Sequence, residues 1–171
     1  DWFFVTVLSL LYWLAIGKTL QPYEYGIIAT AINTVVILSA FGLIGFSAAV
    51  PKLVSEFLDK KNFKKARALV AFSVRITLIV TLGISALLFF SSGTLSSLFN
   101  VPQISLQFAA LLITPTAVWT LSLGVLQGYQ NMRKIFVSNL VGFTIKAALA
   151  WTLIILGFSF LGPLAAWFTG L

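Results

Sequence analysis

The chain has 171 residues, of which 60% are hydrophobic and 9% charged, with a formal net charge of +7 and a mean hydropathy of +1.05. Soluble domains carry about a quarter of their residues as charges, so this composition excludes a water-soluble globular protein and points to an integral membrane protein. Cysteine and histidine are absent and the acids are only Asp1, Glu24, Glu56 and Asp59, which excludes disulfides and leaves a metal site or acid–base dyad almost nothing to build on.

A helix needs ~20 apolar residues to cross the hydrocarbon core. The apolar runs at residues 1–17, 25–50, 68–90, 104–128, 135–156 and 164–171 read as five spans and the start of a sixth. Gln21-Pro22 marks a tight turn after the first. Pro51 follows the second, Ser91-Ser92-Gly93 is expected to end the third, and Pro102 is placed to start the fourth. Residues 129–134 form a short basic turn, and 157–163 turn the chain again. Asp1-Trp2-Phe3 has neither an initiator methionine nor a basic leader, and both ends fall inside apolar runs, so a fragment of a longer protein is expected.

The charges alternate along the connectors. Lys18 lies on the first, and Lys52, Lys60, Lys61, Lys64, Lys65 and Arg67 on the second; Arg133 and Lys134 lie on the fourth. The third and fifth connectors carry no basic residue, and from Ile76 to Met132 no residue is charged. Lysine and arginine accumulate on the cytoplasmic side, so the amino-terminal side and connectors 51–67 and 129–134 are expected there. Each basic residue beside an anionic leaflet is worth ~1 kcal/mol, and no nucleic-acid partner is expected. The fold class is all-α, a polytopic transmembrane helical bundle: lipid requires every backbone polar group to be satisfied internally, and the runs are too long and evenly apolar for barrel strands.

Lys146 is the principal site candidate. It is the twelfth residue of the 22-residue fifth span, near the bilayer midplane, where a lysine costs ~2.5–3.5 kcal/mol and marks a functional position by default. Asn139 and Gly142 precede it by seven and four residues, which places all three on one helix face with Ser138 beside them. Two readings stand: a cation in a water-filled cavity, or a lysine packed in the bundle or snorkelling to an interface. Arg75, eight residues past Arg67, is open to the same pair of readings, because a long side chain can reach headgroups ~12 Å along a helix. Lys52 leans to the interface. Glu24 is expected to cap the second helix, and Glu56 and Asp59 to form solvated pairs with lysines. Gly42, Gly45, Pro51 and Pro115 read as packing and kink positions, and Gly124 with Gly128 as a small-residue pair for close helix approach. Trp2, Trp13, Trp119, Trp151 and Trp167 read as interface and bundle aromatics.

Three connector segments carry a resemblance. Gly17-Lys18-Thr19-Leu20-Gln21-Pro22-Tyr23-Glu24-Tyr25-Gly26, then Phe41-Gly42-Leu43-Ile44-Gly45-Phe46-Ser47-Ala48-Ala49-Val50, then Leu126-Gln127-Gly128-Tyr129-Gln130-Asn131-Met132 follow one another in order and spacing. They resemble connectors of prokaryotic polysaccharide biosynthesis proteins, the Wzx-like oligosaccharide flippases of the multidrug/oligosaccharidyl-lipid/polysaccharide (MOP) superfamily. The resemblance implies the first half of a two-bundle transporter that moves polyprenyl-linked oligosaccharide across the membrane by alternating access. It implies no enzyme activity, no cofactor and no metal, and as partners the lipid-linked oligosaccharide and membrane lipids; the oligomeric state is left open. On it, Lys146 and Arg75 would hold the phosphate head group and Lys52 would guard the cytoplasmic mouth. Asn139, Asn33, Thr116 and Thr120 would offer hydrogen bonds to sugar. The rival within the superfamily is a cation-coupled multidrug antiporter, disfavoured because coupling usually needs an intramembrane carboxylate. A membrane glycosyltransferase and a structural scaffold rank behind it.

Overall fold

The computed structural model describes residues 2–157 and 160–169, leaving the side chains of residues 2–5, 8, 11, 15, 168 and 169 outside the description. The outer limits of the first and last expected spans, at residues 1 and 171, therefore lie outside it, as do residues 158 and 159 of the expected last turn. Among the described residues the chain is all helix: α1 (Trp2–Thr19), α2 (Pro22–Gly42), α3 (Phe46–Asp59), α4 (Phe63–Phe99), α5 (Gln103–Gly128), α6 (Met132–Ile155) and α7 (Leu161–Thr169). The chain is an all-helical polytopic bundle, as its composition requires.

Several boundaries differ from expectation. The basic turn expected at 129–134 is reduced to residues 129–131, with Arg133 and Lys134 inside α6, because Asn131 caps the helix there. The apolar run 25–50 is broken, because Gly45 adopts φ +82°, a left-handed conformation that lets the chain leave α2 and begin α3. Pro51 and Lys52 consequently lie inside α3, which buries Val50 and Val54 and exposes Lys52 and Asp59. The expected connector 51–67 is mostly helical, reduced to a turn at residues 60–62 between α3 and α4. The third span also runs on through Ser91-Ser92-Gly93 to Phe99, giving α4 37 residues, or ~55 Å at 1.5 Å per residue. Its serines satisfy their hydroxyls within the helix: Ser91 donates to the Leu87 carbonyl (2.6 Å) and Ser92 to that of Phe89 (2.7 Å).

Four helices among the described residues, α2, α4, α5 and α6, are long and apolar enough to cross a membrane. That is fewer than the five and a part expected: α7 has 9 residues, and several side chains of α1 lie outside the description.

Helix α5 is the centre of the bundle, packing against α2, α3, α4, α6 and α7. It runs antiparallel to α4: Ser85 donates to the Ala110 carbonyl, and Gln103 Nε2 donates to Ser92 Oγ at 3.3 Å. Its other end receives α3. A Cβ on Gly128 would fall 2.7 Å from Val54 Cβ and 2.9 Å from the Pro51 carbonyl oxygen, so only glycine permits this approach. One core cluster joins Tyr12 and Ile16 of α1 to Ile28, Val35, Ala109, Ile113, Ala150 and Leu164. A second, at the α3 end, contains Leu43, Val50, Val54, Ala117 and Leu121.

The turns before α4 and α6 have the same construction. Lys61 (φ 53°) and Gln130 (φ 55°) are left-handed, and Asn62 and Asn131 follow as N-caps whose side chains each accept from a backbone N–H three residues on, at 3.3 Å. Asparagine suits the N-cap because its oxygen satisfies a donor the helix leaves open. Val70 and Val74 of α4 line one cleft with Val125 and Leu126 of α5, so both turns, and with them Lys60, Lys61, Arg133 and Lys134, lie at one end of the bundle.

Candidate functional site

Lys146 lies ~21 Å along α6 from its first residue, at 1.5 Å per residue, and is 7% exposed. Helix α7 folds back onto α6, with Gly162 against Leu153, and brings Trp167 across the lysine. The Lys146 Nζ lies 3.6 Å from the Trp167 ring centre, 4.4 Å from that of Phe143 and 5.1 Å from that of Tyr12. All three are within the ~6 Å at which an aromatic face attracts a cation. The ammonium therefore ties α6 to α1 and α7. Among the described residues no hydrogen bond or ion pair reaches its nitrogen. The acids are elsewhere: Glu24 accepts from the Gln21 N–H at 3.3 Å at the start of α2, and Glu56 pairs with Lys60 at 2.6 Å. The hydroxyl of Tyr12 and the indole Nε1 of Trp167 are buried, and neither has a hydrogen-bond partner among the described residues.

The other expected site residues are dispersed. Arg75 is exposed on α4, Lys52 on α3 and Asn33 on α2, while Asn139 is half-buried on α6. Thr116 and Thr120 are joined through α5, Thr120 donating to the Thr116 carbonyl at 2.9 Å; the Thr116 hydroxyl is buried and unpartnered among the described residues. No hydrogen bond or ion pair among the described residues links Lys146 to any of these.

Two features escaped the sequence reading. The first is a hydroxyl seam on α4, where Ser73, Thr77 and Thr81 are buried and Ser85 reaches across to α5. The hydroxyls of Ser73 and Thr77 have no partner among the described residues, nor does that of Thr114 on α5. Their four-residue spacing was the available signal, since it stacks side chains on one helix face. The second is a cleft of about 440 Å³ lined by Leu126, Asn131, Arg133, Lys134, Val137 and Ser138, where α5 and α6 diverge at the basic end. A neighbouring cleft of about 320 Å³, lined by Val70, Val74, Leu121, Ser122, Val125 and Leu126, shares Leu126 with it.

Among the described residues, then, the chain is a multi-pass helical bundle that buries Lys146 and a set of hydroxyls. The chain matches the family of polysaccharide biosynthesis proteins over residues 3–170 and belongs to that family. No curated protein and no solved structure matches it. Membership agrees with the resemblance carried by the connector motifs, and it makes the protein a membrane component of polysaccharide biosynthesis.

Proposed function

We propose that the protein flips a lipid-linked oligosaccharide from the cytoplasmic to the outer leaflet by alternating access. The observation that carries this reading is Lys146, a cation buried in the bundle without a carboxylate partner among the described residues, in a chain of this family. A polyprenyl phosphate or pyrophosphate brings negative charge into the membrane, and an ammonium in a low-dielectric site is a point charge suited to it. Thr116, with its unpartnered hydroxyl, would meet sugar, with Thr120, Asn33 and Asn139 as further hydrogen-bonding groups. Arg75 would serve the head group, and Lys52 would stand at the cytoplasmic mouth. The turns before α4 and α6 would face the cytoplasm, with the Arg133–Lys134 cleft on that side.

A cation-coupled antiporter is less well supported, because no carboxylate lies on α4, α5, α6 or α7 among the described residues. The test is reconstitution of the full-length protein with a fluorescent lipid-linked oligosaccharide and an impermeant quencher. Wild-type protein is expected to exchange the lipid between leaflets, and Lys146→Gln to slow exchange at least tenfold. Absence of exchange, with proton- or sodium-driven drug export instead, would favour the antiporter.

A further inference from the structure

The groups around Lys146 share a property beyond their aromaticity. The ammonium has three N–H donors, the indole one and the phenol one; among the described residues the indole and phenol donors are buried without an acceptor, and the contacts of the ammonium are with ring faces. Cation–π attraction uses the ring faces and leaves these donors free. Tyr12 is 5% exposed and Lys146 7%, and the phenol oxygen and the indole nitrogen are themselves withdrawn from water. A buried hydroxyl or indole donor without an acceptor is costly, at ~1–3 kcal/mol, which applies to Tyr12 and Trp167. Phe143 differs, since it offers a face and no donor.

We propose that Tyr12, Lys146 and Trp167 form a three-donor oxyanion site that takes a phosphate group between α1, α6 and α7. This deepens the flippase reading and rests on it for the origin of the phosphate. In this arrangement the ring faces hold the ammonium. When the anion enters, the ammonium, the phenol O–H and the indole N–H donate to its oxygens. Tyr12 and Trp167 thereby become ligand-binding residues and not only packing aromatics. Because they come from α1 and α7, a phosphate bound there draws both helices onto α6.

The test uses full-length protein in nanodiscs, with polyprenyl monophosphate, the neutral polyprenol and inorganic phosphate as separate probes. Tyr12→Phe and Trp167→Phe each keep a ring over the ammonium and remove one donor. Each is expected to weaken polyprenyl monophosphate binding roughly tenfold, as befits one charged hydrogen bond, and to leave polyprenol binding unchanged. Competition by inorganic phosphate, lost in the same variants, would assign the site to any phosphate; its failure to compete would assign the site to the lipid headgroup. Phosphorus–nitrogen dipolar recoupling on protein with 15N-labelled indoles tests the Trp167 contact in the unmutated protein. Recoupling that disappears in Trp167→Phe is expected. Wild-type affinity in both variants, equal binding of polyprenol, or no recoupling would overturn the proposal. If the variants bind phosphate normally while the wild type flips its lipid, the three-donor site falls and the flippase reading stands. If they lose phosphate affinity while the wild type flips nothing, the reverse holds.

Discussion

At Lys146 two energies of similar size oppose each other. Burying a lysine at the centre of a span costs ~2.5–3.5 kcal/mol, and each favourable ring face returns ~0.5–2 kcal/mol. With Trp167, Phe143 and Tyr12 all in range, cost and return nearly cancel, so the lysine adds little to stability. Lys146→Met is therefore expected to change unfolding free energy by less than about 1 kcal/mol while lowering lipid exchange at least tenfold. Thermal unfolding in detergent and the exchange assay check the two halves. A large stability loss with normal exchange would make this lysine a structural strut. The residue itself was legible in sequence, since a charge inside an apolar run stands out. Its surroundings were not, because Tyr12 and Trp167 come from helices at opposite ends of the chain and only packing decides whether a buried cation meets water or rings. At the basic end, the Lys60 hydrogen bond and charge hold the exposed Glu56 carboxyl below its ordinary pKa.

Helix contacts allow sharper tests. A Cβ on Gly128 would overlap Val54 and the Pro51 carbonyl, whereas one on Gly124 would meet Pro51 Cγ at an ordinary 3.5 Å. Gly128→Ala should separate α3 from α5 and destabilise the protein by ~1–3 kcal/mol, the usual range for overpacking. Gly124→Ala should be neutral or slightly stabilising, since alanine is the better helix former; denaturation of the pair compares them directly. The caps give a second test: Asn62→Ala and Asn131→Ala should each cost ~1 kcal/mol, read as a lowered thermal midpoint. The small-residue pair on α5 was legible because its spacing fits one helix face. The α2–α3 break was less so, since the run stays apolar through Val50 and hydropathy is blind to a single left-handed glycine. The end of α4 was misplaced for the opposite reason: Ser91-Ser92-Gly93 is turn-forming by composition, yet the serines bond back to their own helix and it continues.

For the molecule as a whole, the turns at residues 60–62 and 129–131 lie at one end of the bundle, with Arg133 and Lys134 in the first turn of α6 beside the second, and Asn100, which caps the far end of α4, lies at the other. The proposed orientation, which rests on the positive-inside rule, puts the end that carries Lys60, Lys61, Arg133 and Lys134 in the cytoplasm. Single cysteines replacing Lys61 and Gln130 should react with an impermeant thiol reagent only from the cytoplasmic side, and one replacing Asn100 only from outside. Reaction of Lys61→Cys and Gln130→Cys from opposite faces would contradict the fold. The helical bundle and the family were both readable from composition, charge alternation and connector motifs. The hydroxyl seam of α4 and the basic cleft between α5 and α6 were not, because each depends on how neighbouring helices are set against one another.

The central claim is that the position of Lys146, enclosed by rings in this arrangement, opens to substrate during transport. These 171 residues contain no cysteine, so in full-length protein freed of cysteine elsewhere, Lys146→Cys can be labelled with an impermeant thiol reagent from each face, with and without lipid-linked oligosaccharide. Labelling that the substrate blocks is the predicted result. Absence of labelling from both faces would contradict the account and leave position 146 as a packed part of the bundle.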